Sequence, residues 1–175
     1  DLDAELNKLV ANTVVENIKN SFMIDNQVDL SHVDSLHEFN PLIDQWTKAF
    51  LRDACEAQNG FDMAMSWELE VQNGVERNSN GVLTLYFSQY SFTGGAHGNS
   101  SMQYVNIDTR TSSVIDIEAV IQDSAKFVKL GDQKLRKFLE IDDQTPYTEA
   151  GLNMDEFPMT NNFGFTEEGV VLFYN

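Results

Sequence analysis

The sequence predicts an α+β fold, an antiparallel β-sheet packed against α-helices on one face, and three observations carry that prediction. The first 60 residues hold two stretches with apolar side chains at helical spacing. Residues 63–108 switch to a period of two, interrupted by turn residues. Near the end, a polar stretch leads into another short run of alternation folded back at Glu167-Glu168-Gly169. Strands joined by tight turns pair antiparallel, and helices gathered at one part of the chain pack on one face of such a sheet. The expected organisation is one domain, 1–175, with a helical region at 1–60 and a sheet region at 61–175.

The first helix is read from Leu2, Leu6, Leu9, Val10, Val14, Ile18 and Phe22, with Asp1, Asp3 and Glu5 placing negative charge at the positive end of the helix dipole. A second helix has Asn40 as its expected N-cap and Pro41 at its first position, then Leu42, Ile43, Trp46, Ala49, Phe50 and Ala54, with Asn59-Gly60 ending it. Trp46 and Phe50 read as core anchors.

Met63, Met65, Trp67, Leu69 and Val71 alternate with polar residues, as in a strand with one wet face. Asn78-Ser79-Asn80-Gly81 turns the chain into a second strand, Val82 to Phe92, by hairpin turn chemistry. The third strand is read at Met102 to Asp108, and Thr109 to Ser113 turns into a fourth at Val114 to Ile117, completing a meander.

Ser124 to Leu139 suits a helix, with Gly131 as a point of interruption, and it is expected to join the first two helices on one face of the sheet. Glu140 to Asn162, holding Pro146 and Pro158, reads mostly as loop. A closing hairpin follows, Phe163 to Thr166 and Val170 to Tyr174.

Hydrophobic residues make up 42% of the chain and charged residues 22%, enough apolar surface to fold. A formal charge of −17 repels phosphate backbones and anionic membranes, which argues against nucleic-acid binding and suits a basic partner. Cys55 is the only cysteine, so no intrachain disulfide forms, and a core position is expected for it. No apolar run reaches the roughly 20 residues that span a bilayer, and a start at Asp1 suggests a removed leader, tail or tag.

Motifs for chemistry are sparse. Glu68 and Glu70 lie two apart on one strand, so their carboxylates share a face about 7 Å apart, as general acid and base could. A surface pair on a wet strand explains them better, since nothing nearby in the chain supplies an apolar pocket to raise one pKa. Glu76 to Gly81 opens like a calcium loop, but Phe87 stands where the closing glutamate is required. The three histidines, His32, His37 and His97, lack metal-helix spacing, and Gly-x-Ser-x-Gly, Gly-x-Gly-x-x-Gly and phosphate-loop motifs are missing, so no cofactor is expected. Asn99-Ser100-Ser101 fits a glycosylation acceptor.

The most distinctive segment is Tyr90-Ser91-Phe92-Thr93-Gly94-Gly95-Ala96-His97-Gly98-Asn99. Glycines there permit positive φ or a close backbone approach. His97 either bonds local backbone at the strand end and locks the turn, or faces a cleft and meets a ligand. Gly94, Gly95, His97, Tyr90 and Tyr104 are the candidate ligand-binding residues. No residue is assigned as catalytic or metal-binding.

This phrase, with Tyr104-Val105-Asn106-Ile107-Asp108-Thr109 and the ending Phe163-Gly164-Phe165-Thr166-Glu167-Glu168-Gly169-Val170-Val171-Leu172-Phe173-Tyr174-Asn175, resembles the RsiV-like family of bacterial extracytoplasmic domains over residues 63–175. The resemblance implies a place outside the cytoplasm, in the periplasm or on the cell surface. There such domains serve as the sensory part of an anti-sigma factor, in a lipid-anchored lipoprotein, or as an accessory region of a cell-wall polysaccharide deacetylase. It implies a non-catalytic recognition module whose partner is a basic protein such as lysozyme, or peptidoglycan or another glycan. Two alternatives stay open. One is a cell-wall glycan hydrolase, or a deacetylase-associated enzyme domain, using Glu68 or Glu70 with His97; the other is a purely structural lipoprotein domain.

Overall fold

In the computed structural model, residues 1–22, 39–57, 66–94 and 96–174 are described. Helix α1 runs Leu2–Phe22, started by Asp1, whose carboxylate accepts the Asp3 N–H at 3.2 Å. Helix α2 runs Phe39–Ala57. Asn40, expected to cap it, lies inside the first turn beside Pro41. Proline is tolerated there because the first N–H groups of a helix have no internal partner.

Four strands follow the helices, β1 Glu68–Ser79, β2 Val82–Phe92, β3 Asn99–Asp108 and β4 Ser113–Val114, in sheet order β1-β2-β3-β4 and antiparallel throughout. Met63 and Met65, assigned to the first strand, lie outside the described residues, and β1 runs on to Ser79. Its turn is Asn80-Gly81, with φ of 56° and 79°, the left-handed pair that a two-residue hairpin demands. Arg110 packs over Gly81, and Thr109 N–H donates to Gly81 O at 2.9 Å, so the two turns at this end of the sheet brace each other. The fourth strand is shorter than expected. Val114 ends it, and Ile117 instead opens the single helical turn α3, Ile117–Val120, where it is buried.

The strand register divides the sheet into two faces. On one, Leu83, Leu85 and Phe87 of β2 lie across from Ile107, Val105 and Gln103 of β3 and from Val75 and Asn73 of β1. Leu6, Leu9, Val10 and Val14 of α1 pack on this face, and Ile18 meets Leu42 of α2 beside Val71. Removing Leu83, Leu85, Phe87 and Ile107 from water contributes roughly 1.5–3 kcal/mol each. The helices therefore cover one face, as the alternation predicts. Cys55 departs from the expectation: it is exposed. The inward stripe of α2 is Leu42, Trp46, Ala49 and Phe50, and Cys55 falls on the opposite side of the helical turn.

The other face is polar and is covered differently. The closing hairpin, β5 Phe163–Phe165 and β6 Val170–Leu172, forms a separate two-stranded sheet. It lies over Thr84, Tyr104 and Asn106. Asn106, only 1% exposed, accepts from Thr84 Oγ1 at 2.8 Å and from Phe165 N–H at 3.4 Å, and its Nδ2 donates to Phe163 O at 2.6 Å. Asn162 reaches the other way, accepting from Tyr104 N–H at 2.9 Å and donating to Met102 O at 2.6 Å. Arg77 adds a bond to Thr166 O at 2.6 Å.

Helix α4, Ser124–Leu139, is capped by Asp123, which accepts from Lys126 N–H, and ends at Glu140 in the left-handed conformation. Gly131 does not interrupt it. The Phe157 ring occupies the space a Cβ would take, so the glycine serves helix-to-loop packing. The loop 140–162 holds one 3-10 turn, Tyr147–Ala150, and Tyr147 is fully buried. Its hydroxyl donates to Asp132 at 2.7 Å, and Arg136 stacks on its ring while bonding Asp132, Asp142 O and Thr145 O. This helix, expected beside the other two on the sheet, makes its hydrogen bonds to this loop.

Candidate functional site

The β5–β6 hairpin covers one end of the polar sheet face and leaves the other end open. At the open end the register sets Glu70 across from Tyr90 and Tyr90 across from Ser100, with Glu68 and Gln72 on the same face. Glu68, Glu70, Gln72, Tyr90 and Ser100 are all exposed. Gln72 Nε2 donates to Glu70 Oε1 at 2.5 Å and so fixes one carboxylate of the pair. The result is a phenol beside two carboxylates on a rigid antiparallel platform.

The glycine segment borders this end. Gly94 has φ of +102°, with open space where a side chain would stand, so backbone conformation alone selects glycine there. Gly98 is selected by proximity: a Cβ would lie 2.5 Å from the Tyr90 ring. Tyr90 thus rests on the returning backbone and remains 36% exposed. His97 is exposed, and its Nδ1–H donates to Gly98 O at 3.2 Å.

The four described candidate residues separate into two groups. Gly94, Tyr90 and His97 gather at the open end. Tyr104 sits four residues further along the face, roughly 13 Å away at strand rise, with its ring against Gly164 of β5. Burial there, with the Glu76 carboxylate adding to it, raises the Tyr104 phenol above its ordinary pKa. Gly95 lies outside the described residues, as do His32 and His37. Among the described residues, no three His, Cys, Asp or Glu side chains are grouped to hold a metal ion. No helix among them is long and apolar enough to cross a membrane.

A cleft elsewhere in the fold was not foreseen from the sequence. Ile18, Phe22, Ile43, Trp46, Trp67 and Leu69 line a cleft of about 600 Å³ between α1, α2 and the start of β1. Trp67 meets Trp46 and Phe50 edge-on at 5.6 and 5.5 Å, and its buried indole N–H has no acceptor among the described residues. The alternation that placed Trp67 on the buried face gave its depth, while its indole partners come from a helix distant in sequence.

Comparison with known proteins places these features in a family. Residues 3–100, more than half of the chain, match the family model described as deacetylase PdaC. A crystal structure of a DUF3298-family member from Bacteroides fragilis superposes with a TM-score of 0.59 at 14% identity, covering 93% of this chain and 69% of that one. That likeness shows a shared fold. A DUF3298-family protein from Pseudomonas aeruginosa gives a TM-score of 0.48 at 18% identity, covering 90% of this chain and 67% of the other. No curated protein matches. By the extent of the first match, the chain belongs to the deacetylase PdaC family.

Proposed function

We propose that this chain is an RsiV-like, extracytoplasmic, non-catalytic recognition domain that binds a cationic partner across the open end of its polar sheet face. The partner class is a basic protein of the lysozyme type. The observation that carries this reading is the register of Glu70 against Tyr90, with Glu68 and Gln72 alongside, on a face whose other end is already sealed by the β5–β6 hairpin. Exposed carboxylates steer a basic partner, and an aromatic ring held against Gly98 offers contact area that costs little entropy to fix. The overall charge of −17 extends the same attraction. Gly94 and His97 form the rim of the surface, and Tyr104 lies further along the same face, beneath Gly164 and outside the contact.

The test is calorimetric titration of the full chain with a lysozyme, with peptidoglycan fragments run in parallel. Lysozyme should bind, more weakly as salt rises. Glu68→Lys with Glu70→Lys, or Tyr90→Ala, should weaken that binding at least tenfold and leave the melting temperature close to that of the parent. Lysozyme binding that survives both changes would exclude this face. Binding of the peptidoglycan fragments alone would move the reading to the glycan class.

A further inference from the structure

The cations of this acidic chain are not spread evenly. Helix α4 carries five of the eleven Lys and Arg residues and a single carboxylate, Asp132. Asp132 and Arg136 are turned inward and used up in the contacts with Tyr147 and the 142–145 backbone. The remaining four, Lys126, Lys129, Lys134 and Lys137, are exposed. At the helical turn angle, Lys126, Leu130, Gln133, Lys134 and Lys137 fall within an arc of roughly 100°, with Lys129 on one flank and Phe138 on the other. Asp123, the N-cap, projects onto this arc at its N-terminal end, where its carboxylate is held by the Lys126 N–H, and Glu140 projects beside the Lys129 flank at the C-terminal end.

Two apolar residues share this surface with the lysines. Leu130 lies at the centre of the lysine arc and is 50% exposed, and Phe138 at its margin is 81% exposed. Phe138 is the most exposed of the large apolar side chains among the described residues. Lysines surrounding a leucine, with a phenylalanine at the edge, form the pattern of a helix that lies in a membrane interface: ammonium groups meet lipid phosphates while the apolar tips enter the acyl boundary. A purely polyanionic partner would use the lysines and have no use for Leu130 and Phe138. Beyond a Debye length of roughly 8 Å, the carboxylates elsewhere on the domain are screened from a surface that α4 touches. The chain's net charge repels anionic membranes, and α4 supplies a local exception.

We infer that the outer face of α4 docks this domain on an anionic lipid surface, with Lys126, Lys129, Lys134 and Lys137 on the headgroups and Leu130 and Phe138 inserted between them. The experiment is co-sedimentation of the full chain with vesicles of pure phosphatidylcholine and with vesicles of equal parts phosphatidylglycerol and phosphatidylcholine. Binding should appear with the anionic vesicles only and weaken with salt. Each of Lys126→Gln, Lys134→Gln and Lys137→Gln should cost about fivefold in affinity. Leu130→Ser and Phe138→Ser should weaken binding and leave its salt dependence unchanged. All five positions are solvent-exposed, and the single substitutions are independent readouts should one of them lower the melting temperature. Failure of the parent to bind anionic vesicles overturns the inference. So does equal binding to both vesicle types. Retention on a lipid-free polyanion that Leu130→Ser and Phe138→Ser do not affect, with vesicle binding equally unaffected, would reassign the surface to a polymer and overturn the lipid assignment.

Discussion

Asn106 and Asn162 hold the two sheets together by one device used in opposite directions. Asn106, in β3, presents its amide to β5 and bonds Phe163 O and Phe165 N–H, while Asn162, just before β5, presents its amide to β3 and bonds Met102 O and Tyr104 N–H. In each case a side-chain amide stands in for the backbone of a missing neighbouring strand, taking one C=O and one N–H two residues apart. A strand edge and a short hairpin that would otherwise leave polar groups unpaired are thereby joined.

This reciprocity predicts unequal and coupled losses. Asn106→Ala leaves Thr84, Phe163 O and Phe165 N–H without a partner in a buried place and should lower stability by about 3 kcal/mol. Asn162→Ala, at a half-buried edge that water can reach, should cost about 1–2 kcal/mol. Because both hold the same hairpin, the double variant should fall short of the sum by about 1 kcal/mol in urea unfolding. Strict additivity would show that the clamps act independently.

Tyr147 sets an alkaline limit. Burial, then the hydrogen bond to Asp132 and that residue's charge, push the phenol up to about 12 from its ordinary 10.0, against a smaller opposing effect of Arg136. A group whose pKa is raised on folding stabilises the native state in its protonated form. The contribution is complete below pH 10 and is lost as pH rises towards about 12. Thermal melts across that range should show a fall in the parent that Tyr147→Phe lacks. At neutral pH the same variant should be weaker by about 1 kcal/mol. Identical alkaline profiles would remove Tyr147 from the account.

Gly131 weighs helix propensity against packing. In an open helix, Gly→Ala is worth about 1 kcal/mol of stabilisation. Here the new methyl would enter the Phe157 ring, so Gly131→Ala should destabilise. With Phe157→Ala in the background the sign should reverse. A Gly131→Ala variant more stable than the parent would mean that Phe157 moves aside freely.

Gly98 and Gly164 each support a tyrosine, but with different freedom. Gly164→Ala presses on the Tyr104 ring beneath a buried strand and should cost about 1–3 kcal/mol. Gly98→Ala presses on Tyr90, whose ring can swing into solvent, so the loss should stay below about 1 kcal/mol. Binding of the cationic partner should respond in the reverse order, with the Gly98 variant impaired and the Gly164 variant nearly unchanged. Calorimetric titration beside thermal melts separates the two.

Much of this architecture was legible in the chain itself. Period-two alternation ending at Val71, in Val82 to Phe92 and in Met102 to Asp108 marked the strands, since pleating sends neighbouring side chains to opposite sides, and Leu83, Leu85, Phe87 and Ile107 share the face that α1 covers. Asn80-Gly81 announced its turn, because few other pairs adopt left-handed φ twice in succession. The Tyr90 to Gly98 phrase announced a special backbone, and Gly94 and Gly98 each justify it for a separate reason. What pattern could not reach were contacts between residues far apart in sequence. Asn106 with Phe163, Gly164 against Tyr104, Tyr147 beneath Arg136 and the indole cluster at Trp67 are of this kind. Local periodicity records only whether a side chain faces inward or outward. Which group it meets there, and which end of a polar face stays open, is decided when the β5–β6 hairpin settles on the sheet and selects its partners by hydrogen-bond geometry.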